Sequence, residues 1–307
     1  MKPTIICALL LSTALTGFSQ YKWEMGTAAG VSNYLGEIGG NENARRDFIL
    51  DMKPSKTRSS LGYFARYKLK HNFFLKGGLS WNRISGDDKL SSNPGRRGRN
   101  LSFRNNIVET AVTAQYVFYE KYHIGRHYQV NNNFMAYVFT GIAGFYHNPE
   151  AEYYGEWVSL EQLKTEGQSK QYGLIQAAIP AGTGFFFTMN KKYRIGWELN
   201  WRTTFTDYLD DVSSVYPAAS SLESSLSADL SNRNDELGNY NPNTDGIAYS
   251  GNYTPGSKRG DPTHNDSYLT TSVNVSYMLQ GQSDYGKKRK GEFGKRIYRY
   301  KIIRARV

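Results

Sequence analysis

The sequence predicts an all-β chain that closes into a transmembrane antiparallel β-barrel of about eight strands, with long extracellular loops and a basic periplasmic C-terminal tail. Three observations carry this expectation. The chain opens on an export signal. Its composition is polar on average (mean hydropathy −0.60), yet 14% of its residues are aromatic. Several segments alternate apolar and polar residues with period two, and the connections between them are long and short in turn.

The signal is read over residues 1–19. Lys2 supplies the positive start, residues 5–15 an apolar run, and Gly17 and Ser19 the small residues before a cut expected between Ser19 and Gln20. A bilayer-spanning anchor needs about 20 apolar residues, so this run suits a signal better than an anchor. Gln20 at the expected new N-terminus argues against lipoprotein processing, which needs Cys there. The single cysteine, Cys7, falls inside the signal, so the mature chain offers no thiol nucleophile, disulfide or Cys-ligated metal. No later segment has the length and apolarity of a membrane helix. The expected organisation is signal 1–19, barrel 20–280 and basic tail 281–307, targeted to the outer membrane.

The clearest strand is 193–205. Tyr193, Ile195, Trp197, Leu199, Trp201 and Phe205 share one face, and Arg194, Glu198, Asn200 and Arg202 the other. The apolar face suits lipid and the charged face a polar lumen. The same alternation marks 269–279, 108–118, 61–69 and 73–81. Segment 23–31 carries small residues on both faces, and 134–146 is apolar on both. Segment 173–189 contains Pro180, which cannot donate to a ladder, so a bulge or strand end is expected there.

Connections 36–60, 86–103, 147–171 and 206–266 are long, those near His71 and Asn190 are short, and 121–132 is intermediate. Outer-membrane barrels place long loops outside and short turns in the periplasm, and eight strands then leave both termini periplasmic. Eight strands enclose a lumen that side chains fill. The inward set, Glu24, Arg66, Lys68, Lys76, Glu109, Gln115, Arg194, Glu198 and Arg202, must be ion-paired if buried, which predicts a plug in place of a solute pore.

The tail holds ten basic residues: Lys287, Lys288, Arg289, Lys290, Lys295, Arg296, Arg299, Lys301, Arg304 and Arg306. From Gly286 to Val307 Glu292 is the one acid, so that stretch carries nine of the chain's eleven net positive charges and the barrel is close to neutral. Export argues against nucleic acid as its partner. Anionic lipid head groups, a periplasmic protein and a solvated tail all remain open. Ile297, Tyr298, Tyr300, Ile302 and Ile303 alternate among the charges, so the segment could add a strand to a partner's sheet.

Thr206, Asp207, Tyr208, Leu209, Asp210, Asp211, Val212 and Ser213 form the sharpest outer motif. Asp207, Tyr208, Asp210 and Asp211 are the candidate binding residues there. Carboxylates this close could hold Ca²⁺ or act as an acid/base pair, although the spacing matches no known calcium loop. A capped turn that orders the loop is the plainer reading. His123 and His127 have helical metal spacing but fall in a turn, and are read as surface residues. His147 with Ser213 and Ser214 would suit a hydrolase only if the fold joined them. No catalytic, metal or cofactor site is therefore assigned. The segment 213–265, rich in Ser, Asn, Asp and Gly, is expected to be a flexible surface loop.

Three stretches resemble a family of outer-membrane barrels of Bacteroidota, the PorG-type family, which includes a component of the type IX secretion system. They are Ser32-Asn33-Tyr34-Leu35-Gly36-Glu37, the run 136–149 from Ala136 to Pro149, and the acidic motif 206–213. Glu37 stands where that family would have Asp. The resemblance spans most of 21–279 and does not extend to the tail. It implies a non-catalytic barrel that anchors the secretion machinery and docks a periplasmic ring of PorK- and PorN-like proteins. The alternative is a stand-alone surface barrel whose outer loops serve adhesion or ligand binding.

Overall fold

The computed structural model describes residues 22–39, 54–124, 130–190, 192–237 and 251–279. The expected signal, the basic tail and His127 lie outside these residues, as does the side chain of His123.

Eight strands close on themselves: β1 (Trp23–Leu35), β2 (Arg58–Lys68), β3 (Phe73–Asp87), β4 (Ser102–Ile124), β5 (Val130–Tyr146), β8 (Ile175–Met189), β9 (Tyr193–Thr204) and β10 (Ser267–Met278). Each pairs antiparallel with its neighbours in the order β3-β2-β1-β10-β9-β8-β5-β4, and β3 pairs with β4 to close the ring. A short hairpin, β6 (Pro149–Tyr153) and β7 (Glu156–Ser159), extends the wall upward from β4 at Arg104 and Asn105. Two short helices, α1 (Pro94–Arg99) and α2 (Ser225–Ser231), lie in the outer connections.

The faces follow the alternation in the sequence. Along β9, Arg194, Gly196, Glu198, Asn200, Arg202 and Thr204 are buried, while the residues between them face outward. The exterior carries Leu61, Leu79, Val112, Ile142, Ile195 and Val273, all strongly exposed. An apolar exterior on a closed sheet is stable only against lipid, since closure satisfies every backbone group without water. A chain of ring contacts girdles the short-turn end: Trp23–Tyr67, Phe73–Tyr116, Tyr119–Phe134 and Tyr193–Tyr277. Amphipathic rings of this kind settle at the head-group level. Among the described residues no helix is long and apolar enough to cross a membrane; this chain crosses with strands. It is an outer-membrane-type β-barrel. An arginine in place of Val273 at the middle of β10 is expected to cost about 2–4 kcal/mol. Reversible urea unfolding in lipid vesicles would measure it, and an unchanged midpoint would contradict a lipid-facing position.

Three expectations need correction. At Pro180 there is neither a bulge nor a strand end. Opposite β5 the pairs Thr140–Ala181 and Ala143–Ala178 keep one register, and only the pairs between them are missing. Pairing with β9 runs on through Pro180–Arg202. Proline thus interrupts one ladder without shifting it. The connection near 121–132 is mainly strand: β4 runs to Ile124 and β5 starts at Val130, with register shifts between Val117 and Tyr119 and between His123 and Ile124. The described parts of 213–265 are folded, with Tyr216, Leu230 and Arg259 buried.

Candidate functional site

The barrel interior is built from side chains of opposite charge placed by strand register. Near the inner end, Glu24 of β1 accepts from Arg66 of β2 at 2.9 Å and from Ser276 of β10 at 2.6 Å, and also pairs with Arg194 of β9. Midway, Lys76 of β3 reaches both oxygens of Glu198 at 2.8 Å, and the Tyr137 hydroxyl donates to Glu198 at 2.8 Å. Toward the outer end, Arg202 grips Glu109 of β4 with two bonds of 2.7 and 3.0 Å, and Tyr268 donates to the same carboxylate at 2.6 Å. β9 supplies one group to each layer at four-residue spacing: Arg194, Glu198 and Arg202.

Aromatic rings fill the inner half. Arg66 lies over Phe64, Tyr137 and Phe186, and Arg194 lies 4.3 Å from the Phe186 centroid. These rings explain why 134–146 is apolar on both faces: its inward set of Met135, Tyr137, Phe139, Ala143 and Phe145 is lumen filling. The space left between the middle and outer layers is about 70 Å³. That is room for a few waters at about 30 Å³ each. Of the nine residues expected inside, Lys68 is half-exposed and the others line or enter the plug.

The outer mouth is closed by the acidic motif itself. Leu209 and Val212 are fully buried and pack with Ile84, Phe103, Ile107 and Tyr268 in the barrel mouth. The polar atoms between them are taken up by neighbouring elements. The Leu209 amide donates to Asp266 at 3.0 Å and its carbonyl accepts from Asn105 at 2.8 Å. Asp210 accepts from the Val212 amide at 3.0 Å and faces the Tyr34 hydroxyl at 2.6 Å. Asp211, at a left-handed φ of 66°, accepts from Thr165 and from Tyr172 at 2.8 Å, with Arg259 at 3.6 Å. Asp207 is buried too, and Tyr208 stacks on Tyr172, which in turn stacks on His147. Of the two readings of this motif, a binding site or a turn that orders the loop, its buried carboxylates Asp207, Asp210 and Asp211 fit the second, and Tyr208 is half-buried. The carboxylates of Asp210 and Asp211 point to different donors and not to one centre. Among the described residues no cluster of His, Cys, Asp or Glu has the makings of a metal site.

Two arginines that the sequence reading passed over hold the cap. Arg259 donates to Glu166 at 2.8 Å, to the Ser231 carbonyl at 3.2 Å and to the Asp211 carbonyl. Glu166 also accepts from the amides of Ser213 and Ser214 and from the Ser214 hydroxyl. Arg99 forks onto Asp88 at 2.8 and 3.0 Å, and bonds the carbonyls of Arg259 and Glu37. Nothing in their local sequence separates these arginines from solvated ones, because their partners lie 11 to 160 residues away. His147 and Ser214 do not meet: the serine is spent on Glu166, and burial pushes the imidazole down to about 4.

One contact in the cap requires a proton. The Tyr34 hydroxyl lies 2.6 Å from Asp210 and 2.7 Å from Asp266, and has one hydrogen to give. The other short contact needs a protonated carboxyl. Gly36 permits this crossing, since a Cβ there would collide with the Tyr34 hydroxyl and Asp266. Burial raises Asp210 to about 6, and burial with the neighbouring Asp210 charge raises Glu37 to about 7. Both groups hold their proton more tightly in the folded cap than in an open one. The stability that these two groups contribute to the cap is therefore full below about pH 4, the unfolded carboxyl range. It falls as the pH rises through about 6 to 7. The loss should approach about 3 kcal/mol per group. Amide exchange across 206–213, corrected for intrinsic rate, should show less protection at about pH 8 than at about pH 5. Asp210→Asn should flatten part of that slope, and equal protection at both extremes would refute the shared proton.

A model of the family described as "Domain of unknown function (DUF6089)" matches residues 3–237. The chain belongs to that family. No curated protein matches this DUF6089 chain. Solved structures similar to it include the N-terminal β-barrel domain of Pseudomonas aeruginosa OprF, at 10% identity, covering 85% of this chain and 100% of that one with a TM-score of 0.34. Neisserial surface protein A is 7% identical, covering 84% and 97%, with a TM-score of 0.37. Ail of Yersinia pestis, solved with the heparin analogue sucrose octasulfate, is 7% identical, covering 84% and 98%, with a TM-score of 0.31. The DUF6089 barrel also carries two clefts on its cap, of about 660 and 350 Å³, which meet at Tyr216 and Tyr253.

Proposed function

We propose that the protein is a non-catalytic outer-membrane scaffold that works through its two ends and conducts nothing. The observation that supports this most is the lumen, filled by three ion-paired layers and closed at the mouth by Leu209 and Val212. In keeping with the resemblance of its motifs to PorG-type barrels, the assembly it anchors is the type IX secretion machinery. Its partners are then outer-membrane lipids and PorK- and PorN-like ring proteins in the periplasm. The basic tail, with Lys287, Lys288, Arg289, Lys290, Lys295, Arg296, Arg299 and Lys301, is the dock, since clustered positive charge favours acidic protein or lipid surfaces.

The test is a pull-down of the native protein from detergent, full-length and truncated after Gly281. Ring proteins that accompany the full-length chain and are lost on truncation support both scaffold and dock. Ring proteins that accompany both forms move the dock to the periplasmic turns. None with either form removes the secretion reading. A second reading, a surface barrel whose outer loops bind a ligand, is favoured by one observation: the outer loops are folded and carry clefts.

A further inference from the structure

We propose that the cap is a binding site for a neutral oligosaccharide, held in the paired clefts on either side of Tyr216 and Tyr253; this inference rests on the surface-binding reading and is independent of the scaffold reading. The larger cleft, of about 660 Å³, runs between the tip of the β6–β7 hairpin, α2 and the segment around Tyr216. It lies within the range of small-ligand sites, about 300–1,000 Å³.

Its walls pair rings with planar polar groups. Tyr153, Tyr154, Tyr216 and Tyr253 line it, alongside Asp229 and Asn232. Tyr154 is 92% exposed and sits at the hairpin turn with a left-handed φ of 49°, next to Gly155 at 86°. That conformation favours Asn or Gly, and a bulky ring there is strained. Strain of this kind gathers at functional sites. The ring is also braced: it meets Tyr153 edge-on at 4.5 Å, and the Tyr153 hydroxyl is fixed on Asp229 at 2.6 Å. A rigid exposed ring offers a face to the C–H surface of a sugar. Beside it Asp229, exposed and with one oxygen on Tyr153, can accept from a sugar hydroxyl with the other.

The smaller chamber, of about 350 Å³, supplies the second observation. Three of its residues have a buried polar atom without a hydrogen-bond partner among the described residues: Glu37 Oε2, Arg96 Nη1 and the Tyr216 hydroxyl. Glu37 and Tyr216 are 6% and 3% exposed. Buried polar atoms are nearly always bonded, so unspent ones beside a cavity point to something that enters it. Their chemistry selects the ligand. The other charges are spent within the protein: Arg99 on Asp88, Arg259 on Glu166, Lys258 on Asp261 and Arg233 on Glu236. In the smaller chamber what is left is one cation, one carboxyl and one hydroxyl, a balanced set of donors and acceptors that fits uncharged hydroxyl groups better than a phosphate or sulfate.

The test is titration calorimetry on the full-length protein in nanodiscs. The probes are maltohexaose, cellohexaose, laminarihexaose, mannohexaose and chitohexaose, with a proline-rich peptide and free glutamine for comparison. At least one neutral oligosaccharide should bind. Tyr154→Ala, which removes an exposed ring without touching the core, should weaken it by about tenfold or more, and Tyr216→Phe by about three- to tenfold. Sugar binding that both variants leave unchanged overturns the site. Binding of the peptide or glutamine alone, lost in Tyr154→Ala, overturns the sugar assignment and keeps the surface-binding reading. No binding by any probe overturns the sugar proposal and leaves the surface-binding reading on the geometry of the clefts alone.

Discussion

Glu24→Ala is expected to destabilise the barrel by about 3–5 kcal/mol, the usual cost of removing one partner of a buried charge cluster. Glu24 is 3% exposed and is the carboxylate that both Arg66 and Arg194 bond. Without it two guanidinium groups from β2 and β9 are left facing each other among the rings of Phe64, Tyr137 and Phe186. The cation–π contacts cannot replace a lost anion, being worth about 0.5–2 kcal/mol each. The urea midpoint of the variant in vesicles should drop well below that of the parent, and its heat-modifiable gel shift should appear at lower temperature. The double variant Glu24→Ala, Arg194→Ala should recover part of the loss, because it removes one uncompensated charge. A single variant as stable as the parent would mean that the cluster is hydrated and the plug is soft. Planar-bilayer recording gives a second readout: the parent should not conduct, since its residual space is about 70 Å³.

Arg259→Ala should undock the cap while leaving the barrel standing. The guanidinium is buried against Glu166, Asp211 and the Ser231 carbonyl, and its own carbonyl accepts from Arg99 at 2.6 Å. Its loss strands two carboxylates in the cap interior, at about 3–5 kcal/mol, and removes the tie between 251–266 and α2. Arg259→Lys should recover little, since an ammonium cannot reproduce the planar fork. The barrel pairs β9–β10 and β10–β1 do not involve Arg259. Limited proteolysis should therefore cut the variant within 206–266 long before the parent, at an unchanged unfolding midpoint. A shared drop in both measures would mean that cap and barrel unfold as one unit.

The fold was legible because a membrane barrel has to declare itself residue by residue. Each strand faces two solvents, lipid and lumen, so the alternation in 193–205 names the two faces of β9 directly, and loop length gives the orientation. The inward charges Glu24, Glu109, Glu198, Arg194 and Arg202 could be named for the same reason, and their pairing required only that buried charges be matched. The register of Pro180 was less accessible: sequence shows that proline has no donor, while the neighbours decide whether the ladder bends or merely skips.

The cap was not legible in this way. Segment 206–266 has no period, and its Ser, Asn, Asp and Gly content matches that of a solvated loop. What orders it are contacts of long sequence separation: Tyr34 with Asp210 and Asp266, Arg99 with Arg259, and Glu166 with Ser214 and Arg259. The same carboxylates of the acidic motif could have formed a surface site, a calcium loop or a buried latch. The local sequence is compatible with all three, and only the groups brought over the barrel mouth select the latch. By itself the sequence determined the eight barrel strands, though not the full reach of β4 and β5, their faces and the charges of the plug, since period two and the rule of paired burial are local. Tertiary structure alone decided the cap, the shared proton and the clefts, because each is assembled from residues that only the closed barrel brings together.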